Sequence, residues 1–464
     1  MVTLVEQINS FVWGVPALVL ILGVGVYLTV RTGFIQLRLL PEALTSFFLK
    51  LNKKKIVHGE TSPFQALCTA LAATVGTGNI AGVAGAIAIG GPGSVFWMWI
   101  SAFLGMITKF AEATLAVYYC GRDKNGCQIG GPMYIIEKGM GKRWKWLAVI
   151  YSFFGIIAAF GIGNATQINA VVDSINSVIT SFGGQRNRYI DLIIGAIFSV
   201  LLAFILLGGA ARIGDIAERL VPFAAASYII MCIAALIYNY SAIPDALKSI
   251  LVGAFSPRAV TGGMLGSAFT ALRIGVSRGV FTNEAGMGTA AIAHGAARVD
   301  HPAQQGLMGI MEVFIDTVVI CTMTALVILC SGIDIPYGID EGAVLTTRAF
   351  ASTYGSWISV LIAVFLCCFA FATMLGWGLY GLRCAQYLFG DGIWRAFVFG
   401  QTIIIVISTL LQTGTVWMIS ETVNGLMAIP NLIAVAVLSP VLVRLTCEYV
   451  KLKKATHVTS FKST

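Results

Sequence analysis

The sequence predicts an all-α polytopic membrane protein with a helix broken at bilayer depth, and three observations predict it. The 464 residues are 57% hydrophobic and 11% charged, against about 25% charge in an average soluble domain. The apolar residues gather into about 11 runs of membrane length with no long polar stretch between them. One run, 63–90, carries Thr74-Val75-Gly76-Thr77-Gly78-Asn79 at its centre. Polar side chains and glycines there are costly in hydrocarbon unless they face protein or a water-filled cavity. A helix broken at that depth exposes backbone N–H and C=O groups that can hold a solute or an ion.

The expected spans follow in order. The first, 11–30, reads as a helix rather than a signal peptide, because Glu6 is the only charge before it and no small-residue cleavage site follows. The second and third, 63–90 and 94–119, are separated by the turn Gly90-Gly91-Pro92-Gly93. Next come 147–172, 190–208 and 213–238. The seventh, 262–292, is again interrupted by glycines, and the expected break lies near Ile274-Gly275-Val276-Ser277-Arg278-Gly279. The last four are 304–331, 354–388, 394–412 and 416–448, the final one interrupted by Asn424 and Pro430.

The net charge of +9 is spread over short loops between apolar runs, a topogenic pattern rather than a nucleic-acid footprint. With the second span entering from the cytoplasm, 21 basic residues fall on inner segments and 5 on outer ones. The inner set includes Lys53, Lys54, Lys55, Lys142, Arg298 and Lys462; the outer set is Arg186, Arg188, Lys248, Arg258 and Arg348. This asymmetry predicts an outer amino terminus, a cytoplasmic carboxyl terminus and an odd number of spans in a multi-pass cell-membrane protein.

Without the first helix, ten remain, and each set of five opens on an interrupted helix. Interruptions at matching positions point to an inverted repeat and its binding site. The expected organisation is one transporter domain over 1–464: an extra helix and loop (1–57), two five-helix repeats (58–240 and 241–450) and a tail (451–464).

Gly76-Thr77-Gly78-Asn79 reads as an unwound hinge whose second half-helix offers N–H groups to a carboxylate. Close helix packing through Gly78, Gly82 and Ala86 is the alternative, but it leaves Thr74, Thr77 and Asn79 unexplained. A G-x-G that follows no strand is not a nucleotide loop. Asn164 and Gln167, one turn apart, share a face; they either meet a substrate or glue helices. Thr373 and Trp377 share another face. Thr373 offers a hard oxygen for Na+, or bonds its own backbone; Trp377 walls a pocket or anchors at an interface.

Arg273 and Arg278 are read as a gate or interface, or as residues at the cytoplasmic edge of a shorter helix. Lys109, Glu112, Glu218, Arg219, Glu312 and Asp316 read as salt bridges or snorkelling charges near helix ends. Glu218 and Arg219 also admit a cytoplasmic gate. Cys68, Cys232, Cys321, Cys330, Cys367 and Cys368 lie in apolar runs and read as small hydrophobes. The ten cysteines have no metal spacing, and His58, His294, His301 and His457 form no cluster with acids or cysteines. No constellation with catalytic spacing occurs, so the expectation is a carrier, not an enzyme, with no organic cofactor.

At these residues the chain resembles the alanine or glycine:cation symporter family, also called sodium:alanine symporters. The matching stretches are Val75-Gly76-Thr77-Gly78-Asn79-Ile80-Ala81-Gly82-Val83-Ala84 and Gly90-Gly91-Pro92-Gly93-Ser94-Val95-Phe96-Trp97-Met98-Trp99. Further on come Gly130-Gly131-Pro132-Met133-Tyr134, Gly279-Val280-Phe281-Thr282-Asn283-Glu284-Ala285-Gly286-Met287-Gly288 and Leu375-Gly376-Trp377. The resemblance implies a LeuT-type five-plus-five fold with one added amino-terminal helix, and Na+-coupled uptake of small neutral amino acids. It implies substrate contacts at Thr77, Gly78, Asn79, Gly163, Gln167, Ile274, Gly275, Ser277 and Trp377. Na+ is expected between carbonyls and oxygens at Thr74, Gly76 and Thr373, the substrate carboxylate at the N–H groups of Gly78 and Asn79, and its ammonium at carbonyls near Ile274. The residues leave alanine, glycine and glutamine as alternatives, leave proton coupling as the rival to Na+, and set no oligomeric state.

Overall fold

The computed structural model describes residues 7, 9, 12–50, 61–124, 126–255, 268–411 and 413–461. Phe11 at the start of the first expected span, Lys53, Lys54, Lys55, Arg258 and Lys462 of the basic count, and His58 lie outside them, as do the boundary at 57/58 and residues 262–267 of the seventh span.

Helix α1 (Val15–Thr32) is followed by α2 (Leu40–Lys50). The first broken span starts at α3 (Pro63–Thr74). Ser62 caps it by accepting from the N–H of Gln65 at 3.0 Å, and Pro63 fills the first position, where no donor is needed. The chain is extended at Gly76 (φ −139°, ψ −154°), makes one turn over Thr77–Asn79, and resumes as α4 (Ala81–Gly90). Gly91, at φ +75°, ends α4 in a conformation that favours glycine. Helix α5 (Gly93–Tyr118) follows, then the small hairpin β1 (Gly121–Arg122) and β2 (Gln128–Ile129).

Helix α6 (Lys142–Ser181) is longer than the expected 147–172 and carries a π-helical segment at Gly161–Ala165. Such segments cluster at functional sites. Helices α7 (Arg188–Leu206), α8 (Gly209–Tyr238) and α9 (Ile243–Phe255) follow.

The second broken span differs from its sequence expectation. Helix α10 (Ala268–Asn283) runs without interruption through Ile274–Gly279. The break lies at 284–288, where Glu284, Gly286 and Gly288 have φ of +54°, +94° and +76°. Helix α11 (Thr289–His294) continues the span. The glycines near Ile274 serve packing instead: a Cβ on Gly275 would lie 2.3 Å from the Ser94 carbonyl oxygen, and one on Gly279 would lie 2.1 Å from Ser101 Oγ.

Helix α12 (Pro302–Cys330) also has a π segment, at Phe314–Cys321. It is followed by α13 (Ala343–Tyr354), α14 (Ile358–Phe389), α15 (Trp394–Ser408), α16 (Thr413–Val437) and α17 (Ser439–Phe461). The expected last span, 416–448, is thus two helices; α16 runs through Asn424 and Pro430 and stops before Ser439. Among the described residues, eight helices are long and apolar enough to cross a membrane. The expected spans 63–90 and 262–292 are not among them because each is divided by its break.

The two broken spans pack on each other in opposite directions. A Cβ on Gly78 would meet Thr282 Cγ2 at 2.8 Å, and one on Gly90 would meet Ile274 Cβ at 3.1 Å. Helices α5, α8, α12 and α14 pack around this pair.

Candidate functional site

The two breaks face one cavity, lined by Ala73, Thr74, Gly76, Thr77 and Gly78 from the first and Phe281, Thr282 and Glu284 from the second. Ile162 and Gln167 of α6 and Thr373 and Trp377 of α14 complete the wall. Seven residues expected at a substrate or ion site therefore meet around it: Thr74, Gly76, Thr77, Gly78, Gln167, Thr373 and Trp377.

Small residues set the approach of the walls. A Cβ on Gly76 would fall 2.6 Å from Thr373 Oγ1, so glycine admits α14 to the first break. A Cβ on Gly163 would fall 2.4 Å from the Trp377 Cβ, so the π segment of α6 receives the Trp377 side chain. Thr77 Oγ1 donates to Gln167 Oε1 at 3.2 Å, which joins the first break to α6.

Asn79 stands just behind the cavity. Its Oδ1 accepts the Gly76 N–H at 2.9 Å and fixes the turn. Its own N–H donates to the Gly76 carbonyl at 3.3 Å. Its Nδ2 donates to Asp316 Oδ1 at 2.6 Å. Asp316 is fully buried and accepts Thr317 Oγ1–H on its other oxygen at 2.7 Å. The expectation of an acid near a helix end is corrected: Asp316 lies in the π segment of α12, against the first break.

Other in-span charges are also deep. Lys109 Nζ donates to Glu312 Oε1 at 2.8 Å, and neither side chain is exposed. Gln305 Nε2 donates to His294 Nδ1 at 2.6 Å, leaving His294 Nε2–H to face Glu312 Oε2 at 3.0 Å. Glu112 Oε1 accepts the N–H groups of Gly286 and Gly288, at 3.0 and 3.1 Å, and Asn431 Nδ2 at 2.6 Å. It thereby satisfies backbone donors freed by the second break. The pairing of Lys109 is a salt bridge, as expected, but it is sealed in the core.

Ile274, Gly275 and Ser277 do not line the cavity. They lie on the uninterrupted part of α10, with Ile274 against Gly90 and Gly275 against Ser94 and Trp97. In their place α10 contributes Phe281, Thr282 and Glu284. The signal was a charge within an apolar span: Glu284 falls in the expected seventh span, 262–292.

Arg278 lies on the Gly91 side of the second break. It donates to Glu421 Oε1 at 3.1 Å and to Asp340 Oδ2 at 3.4 Å. Arg298, by contrast, bonds the Thr61 carbonyl at the other end of the fold. Of the two readings of Arg278, the contacts fit the interface: it bridges α10, α16 and the loop before α13 just outside the cavity.

Thr373 Oγ1 is buried and has no hydrogen-bond partner, whereas Thr74 Oγ1 bonds the Ala70 carbonyl of its own helix at 3.2 Å. A hard oxygen left orphaned beside a helix break fits a monovalent cation, and Thr74 Oγ1, which only donates to Ala70, keeps its lone pairs for one as well.

A family model described as the sodium:alanine symporter family matches residues 1–463. The chain is 43% identical to the sodium/alanine symporter AgcS of Methanococcus maripaludis, over 98% of both chains. It is 38% identical to the probable sodium/glutamine symporter GlnT of Bacillus subtilis, over 96% of this chain and 90% of that one. The solved structure of MhsT in complex with L-phenylalanine aligns with a TM-score of 0.57 at 13% identity, covering 84% of this chain and 99% of that one. At that identity the likeness is one of fold, and the fold is the LeuT-type transporter fold.

Proposed function

The chain belongs to the sodium:alanine symporter family, and from that premise we propose that it couples Na+ entry to uptake of small neutral amino acids, alanine and glycine foremost, across the plasma membrane. The observation that carries the reading is the cavity where both helix breaks meet α6 and α14. The substrate carboxylate lies at the N–H of Gly78, where a half-helix begins and the peptide dipoles favour negative charge; the Asn79 N–H expected beside it is held by the Gly76 carbonyl. Thr77 and Gln167 hold the polar side of the pocket, and Trp377, seated on Gly163, limits its depth. Na+ sits between carbonyls at Thr74 and Gly76 and the hydroxyl of Thr373, whose oxygen has no protein partner.

Alternating access then rocks the two broken spans against their surroundings. The antiparallel packing of α4 on α10 supports the five-plus-five repeat over 58–240 and 241–450, with the extra helix in 1–57 and the tail at 451–464. The amino terminus lies outside and the carboxyl terminus in the cytoplasm, by the asymmetry of basic residues. Labelling of single cysteines tests this: position 186 reacts with an impermeant reagent in intact cells, and position 142 does not.

Two alternatives have specific support. Glutamine preference is suggested by the relative named for it, and proton coupling by the buried carboxyl of Asp316. Uptake of labelled alanine, glycine and glutamine into proteoliposomes decides. An inward Na+ gradient at constant pH drives accumulation. Equal accumulation from a pH gradient in Na+-free buffer would replace Na+ by H+.

A further inference from the structure

Glu284 is the first residue of the second break, and it lines the cavity with its side chain buried. Its backbone takes φ +54°, a left-handed conformation uncommon for a residue with a side chain. Such outliers persist where the surroundings over-determine them and cluster at ligand sites. Its Oε1 accepts Trp377 Nε1–H at 2.8 Å and its Oε2 accepts Thr289 Oγ1–H at 2.6 Å.

Charge is what these two bonds do not balance. Among the described residues no ion pair involves Glu284. The buried ammonium of Lys109 is committed to Glu312. A buried carboxylate without a direct ion-pair partner is costly. A carboxylate has about four acceptor positions, and Trp377 and Thr289 take two. Glu284 lines a cavity that, on the reading above, receives a zwitterion.

We propose that Glu284 binds the α-ammonium of the transported amino acid and so makes the site selective for zwitterions. The proposal rests on the transport reading and replaces the carbonyls near Ile274 as the ammonium's partner. The substrate would then lie between opposite complements: the N–H of Gly78 in the first break at its carboxylate and the carboxylate of the second break at its ammonium. Each break supplies one half of the recognition, so only a zwitterion closes both onto one ligand.

The test separates charge from hydrogen bonding. Glu284→Gln keeps an oxygen for the Trp377 N–H, and the Thr289 hydroxyl can turn to accept from the new amide. The variant therefore retains the local bonds and loses only the charge. Binding to the purified full-length protein in saturating Na+ is measured for alanine and for propionate, which lacks the amino group. The wild type is expected to prefer alanine at least tenfold. Glu284→Gln is expected to melt within a few degrees of the wild type, lose at least tenfold in alanine affinity, and lose most of its preference over propionate. Alanine affinity in Glu284→Gln within threefold of the wild type overturns the proposal. If the variant does not fold, the wild type still decides, because equal binding of propionate and alanine overturns it as well. A wild-type protein that binds none of alanine, glycine or glutamine would instead overturn the transport reading.

Discussion

The side-chain amide of Asn79 donates to Asp316 Oδ1 at 2.6 Å and so ties the first helix break to the π segment of α12. The connection extends both ways. On one side Asn79 Oδ1 holds the Gly76 N–H. On the other, Asp316 accepts from Thr317, and Thr317 Oγ1 in turn accepts from Asn283 Nδ2 at 3.1 Å. Asn283 is the last residue of α10. One carboxyl thus stands between the two breaks that form the cavity.

Removing that carboxyl should uncouple the breaks. Asp316→Ala removes the closest acceptor of the Asn79 amide and leaves it the residue-316 carbonyl at 3.2 Å and Cys321 Sγ at 3.3 Å, at a cost of about 0.5–1.5 kcal/mol for each side-chain hydrogen bond lost. The expected outcome is a lower melting temperature and a smaller enhancement of alanine binding by Na+. Calorimetric titration of alanine with and without Na+ measures the second effect. An unchanged enhancement would remove Asp316 from the coupling path.

The ion site gives a prediction of its own. Thr373→Val keeps the shape of the side chain and deletes the orphaned hydroxyl. A lost oxygen contact to a charge is worth about 1.5–3 kcal/mol, so the Na+ concentration for half-maximal uptake should rise roughly tenfold to a hundredfold. Thr373→Ser should stay near the wild type. The alanine affinity extrapolated to saturating Na+ should change little in either variant.

The buried pair Lys109–Glu312 should behave asymmetrically. Glu312→Gln leaves the Lys109 ammonium sealed in the core, with an expected loss of about 3–5 kcal/mol. Lys109→Met combined with Glu312→Leu removes both charges, and part of that loss should return. The comparison is made by thermal unfolding of the purified single and double variants. A double variant less stable than Glu312→Gln would contradict this account.

The first break was legible because glycines, threonines and an asparagine coincide within six residues of an apolar run. The second was legible only in kind. Ile274–Gly279 likewise sets two glycines beside polar residues in an apolar run, but Gly275 and Gly279 are there to let α10 approach Ser94 and Ser101 of α5. A glycine that unwinds a helix and one that packs it look alike along the chain. Ile274, Gly275 and Ser277 were displaced by that ambiguity, and Glu284 was overlooked as a cavity residue. The depth of the buried charges was not legible for another reason. Lys109 and Glu312 are 203 residues apart in sequence, and only their contact reveals that the core neutralises them.

Trp377 offers the clearest separation of pocket from packing. It is almost wholly buried, its ring lies 5.8 Å from that of Tyr380, and its N–H is held by Glu284. As a structural residue it should cost about 3–5 kcal/mol when truncated to alanine. As the pocket wall it should also change selectivity, because the space vacated opens into the cavity. Trp377→Ala is therefore expected to lose stability, bind alanine more weakly and admit leucine. Trp377→Phe retains most of the ring volume but removes the N–H donor, so it should exclude leucine still while releasing Glu284. A competition series of alanine, valine and leucine on protein first checked by thermal melting distinguishes the two roles. A Trp377→Ala variant that melts lower but ranks the three as the wild type does would leave pocket size to Gly163 and Gln167.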